Sequence, residues 1–191
     1  MQNALATLIL NDTHAGVVRG AGTTPMTRLK LQDWLRERLD TALKGATDKN
    51  VVFNGDLLDK FDIATSEVIR GYHSLADWAE SSHPDAKMWL LAGNHDISAK
   101  GDKVSSFALL CEMMTSRFPG KVVAHLMEGL AHIHTDVWAI PHCANQDLFD
   151  MELEAVLELD EPMIAALRRV LAGAVVGALA LGGAAHQHRD Q

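Results

Sequence analysis

The chain has 191 residues, a length that suits one domain with a sizeable core, so we expect a single domain over residues 1–191. Hydrophobic residues make up 48% and charged residues 22%, an ordinary globular balance. The net charge is −8 and no run of Lys or Arg is present, which argues against passive electrostatic binding to nucleic-acid backbones. Any affinity for phosphate would therefore have to come from bound cations.

Cysteine usage and the N-terminus predict a cytoplasmic protein. Cys111 and Cys143 show no pairing pattern, so we expect reduced thiols. The N-terminus lacks the basic start and apolar stretch of a secretory signal. The apolar run from Val170 to Ala185 is shorter than the ~20 residues of a membrane-spanning helix. We interpret this run as a buried helix end followed by a strand, and we expect no membrane contact.

Strand and helix patterns alternate along the first two thirds of the chain. The predicted order is a strand at 8–10, a loop, a helix at 25–44, a strand at 51–53, a helix at 65–81, a strand at 88–91 and a helix at 104–118. Leucines spaced mostly four residues apart mark the first helix, and we expect Trp34 to lie beside them in the core. This alternation predicts an α/β fold with its elements in layers around one core.

The later elements are predicted from shorter patterns. Strands are expected at 121–124 and 136–140, a mostly helical stretch at 146–171 and a last strand at 174–181. His132 and His134 fall at a predicted turn before the 136–140 strand, and we interpret them as exposed residues at the edge of a strand. His125 has no partner pattern, and we expect it at the surface.

Three of the predicted strands end in polar clusters that suit metal chemistry. Asp12 and His14 follow the first strand, Asp56 follows the second, and Gly93-Asn94-His95-Asp96 follows the third. In open α/β sheets, ligands bind at the carboxyl ends of the strands. Three such ends side by side would form a nest of oxygen and imidazole ligands for a divalent metal.

The first two clusters suggest different coordinating roles. Asp12 and His14 are two residues apart, so in extended backbone their side chains would point the same way and grip one ion. Asp56 follows Gly55, which allows a tight turn, and its two oxygens could bridge cations ~3.5–4 Å apart. Asp59 is better placed to orient a ligand than to bind metal itself.

The third cluster combines a ligand with a candidate proton donor. Asn94 offers a neutral carbonyl oxygen, an ordinary ligand for hard or borderline cations. His95 follows directly and is free to face substrate as a proton donor to the leaving oxygen. Asp96 could hold the His95 ring in one tautomer, so we assign both residues to the catalytic machinery.

Three more histidines are candidate ligands. His186 and His188 repeat the two-residue spacing near the end of the chain, and the alternative is a polar tail. His142 follows the 136–140 strand, and the alternative is a polar residue that ends the strand. A mixture of carboxylate, imidazole and amide oxygen suits Mn²⁺, Fe or Zn²⁺ better than Ca²⁺.

Together these motifs resemble the calcineurin-like metallophosphoesterase family. The pattern of that family is Asp-x-His, Gly-Asp-x-x-Asp, Gly-Asn-His-Asp/Glu, a His after a strand, and Gly-His-x-His. The first three blocks match in order, and the resemblance covers residues from about 4 to 150. The sequences at 138–142 and 145–150 are similar to those of phage-type members of the family, some of which are DNA-repair exonuclease-like. After Leu153 the match weakens, and Ala185 stands where the family has Gly, so we expect a truncated or altered C-terminal part.

The resemblance implies a layered β-sandwich flanked by helices, incomplete at the C-terminus, with two divalent metal ions. Mn²⁺ is the favoured metal, with Fe or Zn²⁺ as alternatives. The residues that the resemblance assigns to metal are Asp12, His14, Asp56, Asn94 and His188, with His186 as a further ligand. It also assigns His95 as the substrate-facing acid.

The function that this resemblance implies is a metal-dependent phosphoesterase that cleaves phosphomonoesters or phosphodiesters with a metal-activated water. Nucleic acid is one candidate substrate. The similarity to phage-type sequences favours it, and the negative net charge of the chain disfavours it. A phage-encoded protein of this kind would act in the host cytoplasm. The alternative function is an inactive or truncated protein of the same fold that serves as a binding module.

Overall fold

The structure is a computed structural model that describes residues 5–16, 24–96, 103–126, 131–134, 137–140 and 146–159. The elements in chain order are β1 (Thr7–Leu10), α1 (Pro25–Lys44), β2 (Asn50–Asn54), α2 (Thr65–Ser81), β3 (Met88–Leu91), α3 (Ser106–Arg117), β4 (Val122–His125), β5 (Ala131–His134), β6 (Val137–Ala139) and α4 (Gln146–Leu159). The chain divides into two compact units, Met1–Phe149 and Asp150–Gln191. The described residues of the second unit belong to α4. The predicted single domain over 1–191 stays a prediction.

The first four strands form one parallel sheet in the order β1-β2-β3-β4. Leu8 pairs with Val51, Val51 with Met88, and Met88 with Val122, so neighbouring strands are level with one another. Each crossover between these strands contains one helix, as parallel pairing requires. The carboxyl ends of all four strands therefore lie at the same edge, and the α/β class predicted from the sequence is confirmed.

The two faces of this sheet are covered differently. On one face, Phe53 and Leu90 pack in a core with Leu43 of α1, Leu75 of α2 and Leu110 of α3. The other face carries a second core whose members are Val52, Trp89, Leu91, Ile133 and Ala139, the last two from β5 and β6. Burying each large apolar side chain contributes roughly 1.5–3 kcal/mol, so both layers stabilise the sheet. The described layers are thus helices, parallel sheet and hairpin.

The β5–β6 hairpin differs from the sequence prediction. Ala131 pairs with Ala139 in an antiparallel ladder, and the register is irregular between His132 and His134. The predicted turn at these two histidines is wrong because both belong to β5, whereas their exposure at a strand edge stays a prediction. Ile133 is the one large apolar residue of this strand, so the sequence offers almost no period-two pattern to detect.

Helix α1 follows the predicted bounds, but one of its side chains does not. The Thr24 side chain caps the helix by accepting the Thr27 N–H at 3.2 Å, and Gly45 follows the last turn. Trp34 was expected in the core, yet it is 50% exposed, with the Arg38 guanidinium 5.4 Å from its ring. At 3.6 residues per turn Trp34 lies opposite the face that carries Leu43 into the core.

In the part of the chain that the structure describes, no helix combines the length and the apolar character needed to cross a bilayer.

Candidate metal centre

Three predicted ligands meet at the carboxyl edge of the sheet. Asp12 and His14 follow β1 and Asp56 follows β2, and each offers a ligand atom within 4.8 Å of the other two. Two ligands on opposite sides of one ion with ~2.1 Å bonds are about 4 Å apart, so this spacing suits a shared cation. We call Asp12, His14 and Asp56 the ligand cluster.

The backbone of the ligand cluster is strained in a consistent way. Asp12, His14 and Asp56 have φ angles of 48°, 44° and 46°, and in the described ranges no other non-glycine residue has a positive φ. A left-handed conformation costs about 1 kcal/mol or more, and Asp, Asn and His tolerate it best among side chains with a Cβ. Such strain concentrates at functional sites. The expectation that Asp12 and His14 share a direction through extended backbone is wrong, because they meet through this turn.

Hydrogen bonds between the two ligand-bearing loops hold that strained backbone. The His14 backbone N–H donates to the backbone oxygen of Asp56 at 3.0 Å, and the Ala15 N–H donates to the backbone oxygen of Leu57 at 2.8 Å. The Asp59 backbone N–H in turn donates to the backbone oxygen of Ala15 at 3.1 Å. These bonds join the loops beyond the ends of β1 and β2, so they hold the backbone of the ligand cluster together.

Two glycines let the loop after β3 approach Asp56 closely. Gly55 has a φ of 82°, which allows the turn predicted after β2. A Cβ on Gly93 would lie 2.2 Å from Asp56 Oδ1 and 2.3 Å from the Asp56 nitrogen, so no side chain fits there. The approach lets the His95 N–H donate to Asp56 Oδ1 at 2.9 Å. This bond orients the carboxylate, which is 7% exposed.

Asp59 lies beside His14 of the ligand cluster. Its side chain is 6% exposed, and its Oδ1 is 3.5 Å from His14 Nδ1. A carboxylate beside one ring nitrogen favours the tautomer with that nitrogen protonated, which would leave Nε2 of His14 free to coordinate a cation. The position of Asp59 is therefore suited to orienting the ring of His14.

We predict that Asp59→Asn weakens Mn²⁺ binding about 10–100-fold while the chain stays folded. The substitution keeps the size of the side chain but removes the charge that favours the coordinating tautomer of His14. Isothermal titration with Mn²⁺, alongside circular dichroism, would measure both effects. An Asp59→Asn chain that binds Mn²⁺ as tightly as the parent would contradict this orienting role.

His95 lies next to the ligand cluster. Its Nδ1 is 2.6 Å from the backbone oxygen of Asp59, and its ring centroid is 5.3 Å from that of His14, with the planes at 75°. The sequence analysis assigned the holding of this ring to Asp96. The structure instead places the backbone of Asp59 at Nδ1, a partner that no side-chain pattern reveals.

Asp96 is a buried residue whose side chain accepts a hydrogen bond from the backbone. It is 1% exposed, and its Oδ2 accepts the Gly93 N–H at 2.9 Å. Burial raises the pKa of Asp96 to about 6, with the charge of Asp56 adding to the effect and the hydrogen bond from Gly93 opposing it. Its carboxylate fixes the turn that carries Asn94 and His95, so its support for the site comes through the backbone.

The raised pKa of Asp96 predicts a stability that falls with rising pH in the metal-free protein. The folded chain retains the Asp96 proton up to about pH 6, whereas the unfolded chain loses it near 3.8, so folding binds a proton between these values. From pH 5 to pH 7 this group should lower the free energy of unfolding by about 1 kcal/mol. Urea unfolding in EDTA should show that fall in the parent chain. The fall should be absent from Asp96→Asn, and equal slopes in both chains would contradict it.

The ligand cluster does not include the other predicted ligands. Asn94 is exposed in the turn between Gly93 and His95, directly beside the residues that contact Asp56. His142, His186 and His188 lie outside the described residues, as do Cys143 and the strand predicted at 174–181. Their assignment to metal stays a prediction.

His125 is a residue that the sequence analysis misplaced. It was expected at the surface, but it is the last residue of β4 and partly buried. Burial lowers the pKa of its imidazole, and its Nε2 is shielded from solvent without a hydrogen-bond partner in the described residues. The signal that was available is its place at the end of a fourth parallel strand.

Comparison with models of known protein families and with curated proteins finds no match to this chain. What the site can do therefore rests on its own geometry and chemistry.

Proposed function

We propose that this chain is a metal-dependent phosphoesterase of the calcineurin-like metallophosphoesterase type. The observation that carries the proposal is the ligand cluster, in which three strained residues from two strand ends meet beside His95. The proposal includes the layered sandwich of that family. In this proposal, the described helices, parallel sheet and β5–β6 hairpin would form three of its layers.

The residues of the ligand cluster fit a divalent cation. Two carboxylates and one imidazole suit Mn²⁺, Fe or Zn²⁺, and we propose Mn²⁺ as the working metal, with two ions per chain. Asp12, His14 and Asp56 would hold the first ion, and Asn94 lies in the adjacent turn as a further oxygen donor. Bound cations would supply positive charge for the phosphate oxygens and would make a water molecule at the site more acidic.

His95 is the residue that we assign to proton donation. The Nδ1 atom of His95 lies 2.6 Å from the backbone oxygen of Asp59, so it is already engaged. The proton transferred to a leaving oxygen would therefore come from Nε2. The short contact also fixes the ring plane beside His14, so the donor is oriented before substrate binds. General acid catalysis of this kind contributes typically 10²–10⁴-fold.

The charge of the site restricts what it can bind. The ligand cluster brings two carboxylates together in a chain of net charge −8, so an anionic phosphate ester would be repelled in the absence of cations. Metal and substrate are therefore expected to bind together. We propose phosphomonoesters or phosphodiesters as substrates, with a nucleic-acid end as one candidate, and the cytoplasm as the compartment, where a thiol such as Cys111 stays reduced.

The experiment that tests this function measures metal content and hydrolysis in the same preparation. The chain is equilibrated with Mn²⁺, the ions per chain are measured by mass spectrometry, and turnover of p-nitrophenyl phosphate and bis(p-nitrophenyl) phosphate is followed. We expect bound Mn²⁺ and turnover that EDTA abolishes. A chain that binds Mn²⁺ at neither site and hydrolyses neither ester would overturn the proposal in favour of an inactive protein of this fold.

The role of His95 has its own test within that assay. His95→Asn should retain Mn²⁺ binding but lose about 10²–10⁴-fold in turnover of an alkyl phosphate ester, whose leaving oxygen needs a proton. Turnover of the p-nitrophenyl ester should fall less, because p-nitrophenolate leaves without one. Equal losses on both esters would show that His95 does not act as the acid.

A further inference from the structure

The sheet face that carries the hairpin is open to solvent on the side of β1. Ile9 of β1 is level with Val52 of β2, and Val52 is level with Trp89 of β3, so these side chains point to the same face. Val52 and Trp89 are 3% and 5% exposed and belong to the second core, whereas Ile9 is 52% exposed. The cover of this face therefore ends between β2 and β1, the outer strand of the described sheet.

Two exposed asparagines lie on this open side, next to the ligand cluster. Asn54 comes two residues after Val52 in β2, so it points to the same face, nearer the carboxyl edge. The Nδ2 atom of Asn54 donates to Oδ1 of Asn11 at 3.0 Å. Asn11 directly precedes Asp12, and Asn54 is two residues before Asp56. We call Asn11 and Asn54 the amide pair.

The amide pair has hydrogen-bonding capacity beyond the bond within it. Each side-chain amide carries two N–H donors and an oxygen acceptor, so this bond leaves the Asn11 donors and the Asn54 oxygen for another partner. A neutral pair with both donors and acceptors suits an uncharged polar group better than it suits a phosphate. The amide pair is therefore placed to contact the neutral part of a substrate whose phosphate lies at the ligand cluster.

An exposed aliphatic side chain beside paired amides matches the chemistry of a nucleobase. Asparagine recognises adenine by donating to its N7 atom and accepting from its N6 amino group. The flat face of the base can pack on Ile9, which is two residues before Asn11. Consecutive Cα atoms are about 3.8 Å apart, so the amide pair lies one or two such steps from Asp12 and Asp56. That short reach suits a base that one sugar joins to its phosphate.

We propose that Ile9, Asn11 and Asn54 form a subsite for the base of an adenine nucleoside whose phosphate ester is cleaved at the ligand cluster. The inference rests on the proposed function and narrows the substrate class that it leaves open. A free nucleotide and the end of a nucleic-acid strand present the same base and phosphate, so the subsite would accept either.

The test compares two phosphodiesters of equal charge and with the same leaving group, assayed with Mn²⁺. The p-nitrophenyl ester of adenosine 5′-monophosphate carries the base, whereas methyl p-nitrophenyl phosphate does not. We expect the parent kcat/KM to be at least about tenfold higher for the adenosine ester, mainly through a lower KM. Equal kcat/KM values would overturn the inference and leave the proposed function standing. A parent that hydrolyses neither ester would overturn both.

Two pairs of variants test the residues in the same assay. Asn54→Ala should lower the ratio of the two kcat/KM values about tenfold, and Asn54→Gln, which keeps an amide, should restore part of it. Ile9→Ala should lower the ratio severalfold. The control Ile69→Ala removes an isoleucine of similar exposure, 45%, from α2, and it should leave the ratio unchanged. A ratio that none of these variants changes would overturn the inference.

Inhibition of methyl p-nitrophenyl phosphate turnover separates the two sources of the base. Tighter inhibition by adenosine 5′-monophosphate would assign the subsite to free nucleotides, and tighter inhibition by a short oligoadenylate would assign it to strand ends. Ribose 5-phosphate lacks the base and should inhibit at least about tenfold more weakly. Equal inhibition by ribose 5-phosphate would overturn the inference.

A last measurement needs neither metal nor turnover. Neutral adenosine is added to the ¹⁵N-labelled chain in EDTA, and the side-chain amide signals are followed by NMR, with Asn54→Gln used to assign the Asn54 signal. The Asn54 signal should shift with adenosine and stay in place with ribose. An Asn54 signal that responds to neither would overturn the inference.

Discussion

Gly93→Ala is expected to lower the free energy of unfolding by about 3 kcal/mol and to abolish Mn²⁺ binding. The new methyl group would lie 2.2 Å from Asp56 Oδ1 and 2.3 Å from the Asp56 nitrogen. One of these neighbours is backbone, and it belongs to the loop that also carries the strained φ of Asp56. The loops after β2 and β3 must separate, which breaks the bond from His95 to Asp56. Urea unfolding in EDTA and Mn²⁺ titration measure the two effects.

Gly71→Ala is the matched control for this prediction. Gly71 lies within α2, and a Cβ there would meet Leu110 Cδ2 at an ordinary 3.8 Å. The same added methyl should therefore stabilise the chain by about 0.5–1 kcal/mol, because alanine favours helix interiors over glycine. If Gly93→Ala were as stable as the parent and bound Mn²⁺ normally, the close approach of the two loops would not be a requirement of the centre.

The strongest sequence patterns predicted the sheet and its crossovers. The bounds of α2 and β3 are those expected, since a clear apolar face marks one and a continuous apolar run marks the other. The apolar run at 51–53 likewise gave β2 to within one residue at each end. Buried parallel strands are apolar on both faces, so they stand out in a single sequence.

The elements that the sequence missed depend on contacts between distant segments. Strand β5 has one buried apolar residue, Ile133, and its pairing with β6 decides that it is a strand. The exposure of Trp34 follows from which face of α1 packs on the sheet, and the weakly amphipathic sequence of that helix does not specify the face. The burial of His125 likewise follows from the position of β4 in the sheet.

The candidate site shows the same division. The residue types and their order predicted that Asp12, His14 and Asp56 would lie together, because the carboxyl ends of parallel strands meet at one edge of the sheet. Their left-handed backbone was not predicted, since it is imposed by hydrogen bonds between the loops. Nor was the contact of His95 with the backbone oxygen of Asp59, because every residue carries such an oxygen. Side-chain chemistry was visible in the sequence, whereas backbone chemistry was not.

Asp56→Asn is expected to weaken Mn²⁺ binding by more than about a hundredfold and to abolish hydrolysis without unfolding the chain. Loss of a ligand that supplies charge should cost more than the 10–100-fold typical of residues that only orient ligands. Asparagine tolerates the φ of 46°, and its amide oxygen can still accept the His95 N–H. Removal of the Asp56 charge also relieves the repulsion that helps to raise the pKa of Asp96. The free energy of unfolding in EDTA should therefore stay equal or rise slightly.

Two comparisons separate the charge of Asp56 from its structural role. Asp77→Asn makes the same charge change on the exposed side of α2, so it should leave Mn²⁺ affinity and stability unchanged. Asp56→Ala removes the hydrogen-bond acceptor and places alanine at a positive φ, so it should lose about 1–2 kcal/mol of stability as well as the metal. If Asp56→Asn kept both its Mn²⁺ affinity and its turnover, Asp56 would be a purely structural residue. The strain at its backbone would then serve the packing of the loops rather than the binding of a cation.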